Sequence, residues 1–249
     1  MTEQKKDAYA GFIAHLIELR HRLILASVGV VLVCLALFVW PGPAQIYDIL
    51  AAPMMAALPQ GTKMIATGVV SPFLVPMKIT FSIALIIAMP WVLYQVWAFV
   101  APGLYAHEKK WVIPLVVSSS ILFLLGVLFS YFFVFGRVFQ FISEFAPHSI
   151  MVAPDIESYL DFVITLCLAF GVTFEIPVIV VLSVWMGWVT VERLRSWRSY
   201  VIVGAFVVAA VVTPPDIFSQ FALAVPMCIL FELGLWVAAL LVKSKKISS

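Results

Sequence analysis

Apolar residues along this chain gather into six long runs, and polar positions fall almost entirely between them. The first run extends from Leu23 to Trp40 and closes on Pro41, Gly42 and Pro43. The second covers Phe73 to Ala101, with Lys78 near its start and Pro90 inside it. The third goes from Trp111 to about Phe135 and follows the polar stretch His107 to Lys110. The fourth covers about Tyr159 to Trp185 and contains Glu175 and Pro177; the fifth is Tyr200 to Val212 and the sixth about Phe218 to Val242. A helix needs about 20 apolar residues to cross hydrocarbon, and lipid offers the backbone no hydrogen-bonding partner, so each run is predicted as a helix. The predicted fold is all-α, a single integral membrane domain. It comprises an amphipathic N-terminal segment (1–22), a six-helix core (about 23–242) and a short tail (243–249).

Two irregularities qualify this pattern. The fifth run offers only about 13 apolar residues, roughly 20 Å of helix against about 30 Å of hydrocarbon, so the bilayer is expected to thin beside it. Thr213, Pro214, Pro215 and Asp216 then form a tight turn in which Asp216 is a natural N-cap for the sixth helix. The connection from Pro41 to about Ser71 is too long for an idle loop. Gln45 to Leu50, followed by Met54, Met55 and Leu58, predicts a short interfacial helix interrupted at Pro53. A second connection, about Gly136 to Ser158, mixes apolar and acidic residues, and both connections are expected to lie as caps on the membrane surface.

Composition agrees with the runs: hydrophobic residues make up 64% of the chain and charged residues 11%. That is too apolar for one water-soluble core. Charge then sets orientation. Lys5, Lys6, Arg20, Arg22, Lys109, Lys110, Arg193, Arg195, Arg198, Lys243, Lys245 and Lys246 fall on the side of the termini, and only Lys63, Lys78 and Arg137 on the other. This positive-inside bias predicts that both termini are cytoplasmic. Seven charges in the first 22 residues, with no apolar core among them, lead us to expect no cleavable signal peptide. Cys34, Cys167 and Cys228 lie apart inside apolar runs and read as small buried hydrophobes.

Candidate chemistry is confined to a few acids. Glu18 stands one turn before Arg22 on a stretch where Phe12, Leu16, Leu19 and Leu23 share a face. Glu108 follows a Pro102–Gly103 turn at the same boundary and precedes Lys109 and Lys110. For both acids, two readings are open: local charge compensation, or a site for a ligand with two adjacent cationic groups, arginine being the favoured partner of a carboxylate. Glu175 lies at membrane depth, where a carboxylate is costly; it is either a protonated acid bonded to a neighbouring helix or a functional polar site. Pro177 frees the carbonyl of Thr173 and is expected to loosen the helix there. Glu232 and Gln220 are milder cases. There is no phosphate loop, metal-ligand cluster or nucleophilic triad, so no catalysis, cofactor or metal is expected. A proton-coupled small-solute transporter using Glu175 stands as the alternative, without repeat symmetry to support it.

Several stretches together resemble the TatC family, the six-helix core subunit of the twin-arginine translocase. They are His15–Arg20 (HLIELR), Ser71–Phe73 (SPF), Tyr94–Leu104 (YQVWAFVAPGL), Glu108–Lys110, Phe170–Pro177 (FGVTFEIP) and Val212–Asp216 (VTPPD). The resemblance implies a concave, cup-like wall of six helices with helices five and six short, in the cell inner membrane. It implies that Glu18 and Glu108 receive the arginine pair of a signal peptide, with Arg20, Arg22 and Phe99 in the same surface. Glu175 is implied to face the hollow, and Pro53 to matter in the outer cap. Thr213 and Gln220 are implied to lie where the single-span partners TatB and TatA dock. Self-association in a receptor complex, contact with membrane lipids and export of folded cargo driven by the proton-motive force are further implications.

Overall fold

A computed structural model describes the backbone of residues 3–57, 64–100, 112–145, 154–213 and 216–247, and side chains within 13–56, 64–100, 113–141, 154–213 and 216–243. The described chain is helical: α1 (Glu3–Val39), α2 (Pro43–Ala57), α3 (Ser71–Val100), α4 (Val112–Phe129), a π-helical turn (Ser130–Val134), α5 (Phe135–Phe145), α6 (Ile156–Thr173), α7 (Ile176–Trp185), α8 (Val191–Ser196), α9 (Arg198–Val212) and α10 (Ile217–Ile247). Five segments are long and apolar enough to cross a membrane: Ile13–Val39, Ser71–Val100, Ile113–Phe141, Ile156–Trp185 and Ile217–Lys243. A shorter apolar helix, α9, lies in the place of the predicted fifth run; it has 15 residues, about 22 Å at 1.5 Å per residue, and is short as expected.

Several boundaries differ from expectation. The N-terminal segment and the first span are one helix of 37 residues. The α2 helix runs through Pro53 without interruption. The third span passes through the π turn into α5, so helix continues to Phe145 where a surface connection was expected. The last helix is 31 residues long rather than short, because helix-favouring residues such as Lys243 carry it beyond the apolar run. The fourth span is broken at Phe174–Glu175, as Pro177 led us to expect.

The core lies where α4, α6 and the cap helix α2 meet α3, with α5 packed on α2 and the π turn. Small residues allow close approach, the usual device where helices gain no hydrophobic drive from lipid. At Gly126 a Cβ would overlap the backbone carbonyl of Phe170, so α4 and α6 touch there backbone to side-chain-free backbone. Phe123, Phe135 and Phe170 are fully buried around this contact. The α10 helix packs on α7 and α9. By contrast α1 leans on α3 and leaves most of its apolar length exposed to the bilayer; only 6% of its most apolar stretch is buried.

The outer connections are stitched together locally. Ile65 and Asp155 form an isolated parallel bridge, with Ile156 N–H donating to Ile65 O at 2.9 Å. The Asp155 carboxylate caps α6 by accepting from the Ser158 amide at 3.1 Å, and it also accepts from the Thr67 hydroxyl at 2.8 Å. Those bonds, the Ser158 amide first and the Thr67 hydroxyl next, hold its pKa down at about 2. Lys78 pairs with Asp161 at 2.5 Å, so a cation near the start of the second span has its counter-ion on α6.

Candidate functional site

Three polar places can be built up from these helices. The first is the α1–α3 contact. Trp91, Gln95 and Phe99 recur at four-residue spacing, which stacks them along one face of α3. Trp91 meets α1 at Gly29, where any Cβ would overlap the indole, and its Nε1 donates to Leu25 O at 2.9 Å. One turn on, Gln95 is almost wholly buried and its Oε1 accepts from Arg22 Nη1 at 3.3 Å. One turn further, Phe99 stacks on His15 with centroids 4.3 Å apart.

Glu18 sits between these contacts and faces Arg22 at 3.6 Å, both side chains about a third exposed. Arg20 is exposed on the same stretch. Thus Glu18, Arg22 and Phe99 come together, with His15 and Gln95 added by the fold. Gln95 was missed from sequence although it carried a signal, an amide inside an apolar run. Glu108, the other expected acid, lies outside the described residues.

The second place is Glu175. The break between α6 and α7 sets it at the N-cap position of α7, yet its side chain caps nothing there. It is 7% exposed. Its Oε2 accepts from the Ser119 hydroxyl of α4, and Ser119 Oγ in turn accepts from Trp97 Nε1 of α3 at 3.2 Å. Glu175 Oε1 has no protein partner among the described residues. The acid is therefore bonded to a neighbouring helix and also keeps one oxygen unclaimed.

The third place is the cap. Proline at position 53 has no amide, so the carbonyl four residues earlier, Ile49 O, lacks its helical donor. The Tyr131 hydroxyl, from the π turn, donates to that carbonyl at 2.7 Å. Next to it, Tyr159 OH donates to Leu50 O at 2.8 Å. The two positions implied for docking differ. Thr213 is buried and its hydroxyl donates back to Ala209 O at 2.8 Å, whereas Gln220 is half-buried on α10. Asp216 caps α10 by accepting from the Ser219 amide at 2.7 Å, as expected.

Residues 14–226 match the family described as Sec-independent protein translocase protein (TatC). The chain is 53% identical over 226 residues to the Sec-independent protein translocase protein TatC of Escherichia coli O6:H1, covering 90% of this chain and 86% of that one. It is 50% identical over 232 residues to the protein of the same name from Haemophilus influenzae, covering 93% and 90%. Its fold is similar to a crystal structure of the twin-arginine translocase receptor TatC, with a TM-score of 0.80, 35% identity and coverage of 91% of this chain and 98% of that one. The chain belongs to the TatC family: it is a multi-pass membrane subunit of the twin-arginine protein translocase, a transport component rather than an enzyme.

Proposed function

We propose that the α1–α3 end of this subunit is the receptor for twin-arginine signal peptides. With TatB and TatA, the subunit exports folded proteins across the inner membrane at the expense of the proton-motive force. Both termini are cytoplasmic in this reading, in line with twelve cations on the side of the termini against three on the other.

The observation that carries the proposal is the state of Glu18. Its ion pair with Arg22 is long and part-exposed, hence weak, while Arg22 has a second anchor in Gln95. An incoming guanidinium bonds Glu18 bidentately, and Arg22, part-exposed to solvent, keeps its hydrogen bond to Gln95. Glu108 supplies the second carboxylate on the strength of its sequence position past the end of α3. Thr213 and Gln220 mark the docking region for TatA and TatB, and Pro53 fixes the outer cap. Glu175 is the polar site at membrane depth that cargo or its signal meets later.

The test uses membrane vesicles containing TatA and TatB, with or without this subunit, and a folded reporter whose signal carries Arg-Arg or Lys-Lys. Export that needs both the subunit and the arginine pair supports the reading. Equal export of the Lys-Lys reporter overturns it. Glu108→Lys is expected to abolish signal-peptide crosslinking to this subunit.

A further inference from the structure

Several hydroxyls in the helices of this protein turn inward on their own backbone. Thr80, Ser82, Ser183 and Thr213 each donate to the carbonyl four residues earlier, and Ser118 donates to Leu115 O. That is the ordinary outcome where no other acceptor is at hand. Ser119 departs from it: its proton goes sideways, across to Glu175 Oε2 on another helix.

The cause is Trp97. An indole N–H is a donor only, so the Ser119 oxygen must act as acceptor toward it. With one lone pair so used, the single hydroxyl proton points away from Trp97 and at the carboxyl group. All three side chains are buried, Ser119 fully and Trp97 and Glu175 at 9% and 7% exposure. A one-way chain thus runs from α3 through α4 to the break between α6 and α7. It saturates Oε2 from a fixed direction and leaves Oε1 without a protein partner among the described residues.

We propose that Trp97 and Ser119 are positioning residues for Glu175, fixing the carboxyl group so that Oε1, itself buried, is the oxygen left free to exchange a proton. Trp97 provides the direction, Ser119 the hydrogen bond, and Glu175 the reactive oxygen. The inference rests on the reading of Glu175 as a working site in export.

The test uses the full chain with TatA and TatB in membranes and two readouts. One is the isotope-edited infrared carboxyl band of Glu175, identified by its disappearance in Glu175→Gln. The other is export of the Arg-Arg reporter, with signal-peptide binding measured alongside. Ser119→Ala and Trp97→Phe are each expected to move the band and to lower export about fivefold, the size of one lost buried hydrogen bond, while binding is kept. Ser119→Thr, which retains the hydroxyl, is expected to restore both. An unmoved band in either Ser119→Ala or Trp97→Phe overturns the proposal, as does loss of export without band movement. If the band moves and Glu175→Gln exports normally, the geometry stands and the assigned role of Glu175 falls.

Discussion

The hydroxyl of Tyr131 occupies, at 2.7 Å, the carbonyl of Ile49 that Pro53 leaves without a helical amide. The proline therefore makes an acceptor available to the third span while the cap helix stays continuous. Two consequences separate this from a simple packing role. Tyr131→Phe is expected to cost about 1 kcal/mol by orphaning the carbonyl. In a Pro53→Ala background the restored amide satisfies Ile49 O, so the same tyrosine change is expected to cost less. A double-mutant cycle on detergent-solubilised thermal stability checks this; additive losses would show that the two residues act independently.

Gly29 is the position at which α1 is most sensitive to size. A valine there overlaps the Trp91 indole and is expected to cost about 1–3 kcal/mol, the usual range for overpacking. It also breaks the Trp91 bond to Leu25 O, so Trp91 fluorescence is expected to shift with the loss of stability. Trimming Trp91 to leucine in the valine background is expected to recover part of that loss, which a change confined to α1 itself would not allow.

Local rules were readable in the sequence and long-range ones were not. The Asp216 cap and the Glu18–Arg22 pair involve side chains three or four residues from their partners, so spacing alone reveals them. Glu175 stood out because a carboxylate in an apolar run has few explanations. The Arg22–Gln95 and Trp97–Ser119 bonds join residues 73 and 22 positions apart, and no periodicity links them. The π turn was hidden because the third span is apolar on every face, which leaves no period to slip. Continuity of α2 through Pro53 was missed for a similar reason: the donor that repairs the lost bond is Tyr131, on another element.

Asp155 gives the outer stitch a defined pH window. Its folded pKa, about 2, lies below the ordinary 3.8, so its contribution is fully present above about 3.8 and is lost as pH falls through about 2. Hydrogen exchange at the Ile156 amide, which donates to Ile65 O, is therefore expected to keep its protection factor between pH 7 and pH 4. Asp155→Asn is expected to reduce protection at every pH in that interval. Unchanged protection in the variant would mean the stitch does not depend on the carboxylate.

Glu232 offers a sharp contrast with Glu175. It is half-exposed and paired with Arg198 at 2.6 Å, near the start of α9. Pairs of this exposure contribute about 1 kcal/mol or less. Glu232→Gln is thus expected to leave export of the Arg-Arg reporter nearly unchanged and stability only slightly lowered. A proton-coupled transport cycle shared between Glu232 and Glu175 requires the opposite, a large loss of transport from either acid alone.

The proposed recognition surface and the intramembrane acid occupy different contacts, although α3 serves both. Gln95 and Phe99 face α1, while Trp97, between them in sequence, points to α4. Residues two apart on a helix lie on different faces, so a change at Glu175 meets Trp97 without passing through Arg22 or His15. Glu175→Gln keeps the volume and the acceptor for Ser119 and removes only the ionisable oxygen. It is therefore expected to reduce export about tenfold, equivalent to about 1.4 kcal/mol, with signal-peptide crosslinking to the α1–α3 end preserved. Loss of crosslinking in that variant would show that the two places act as one site.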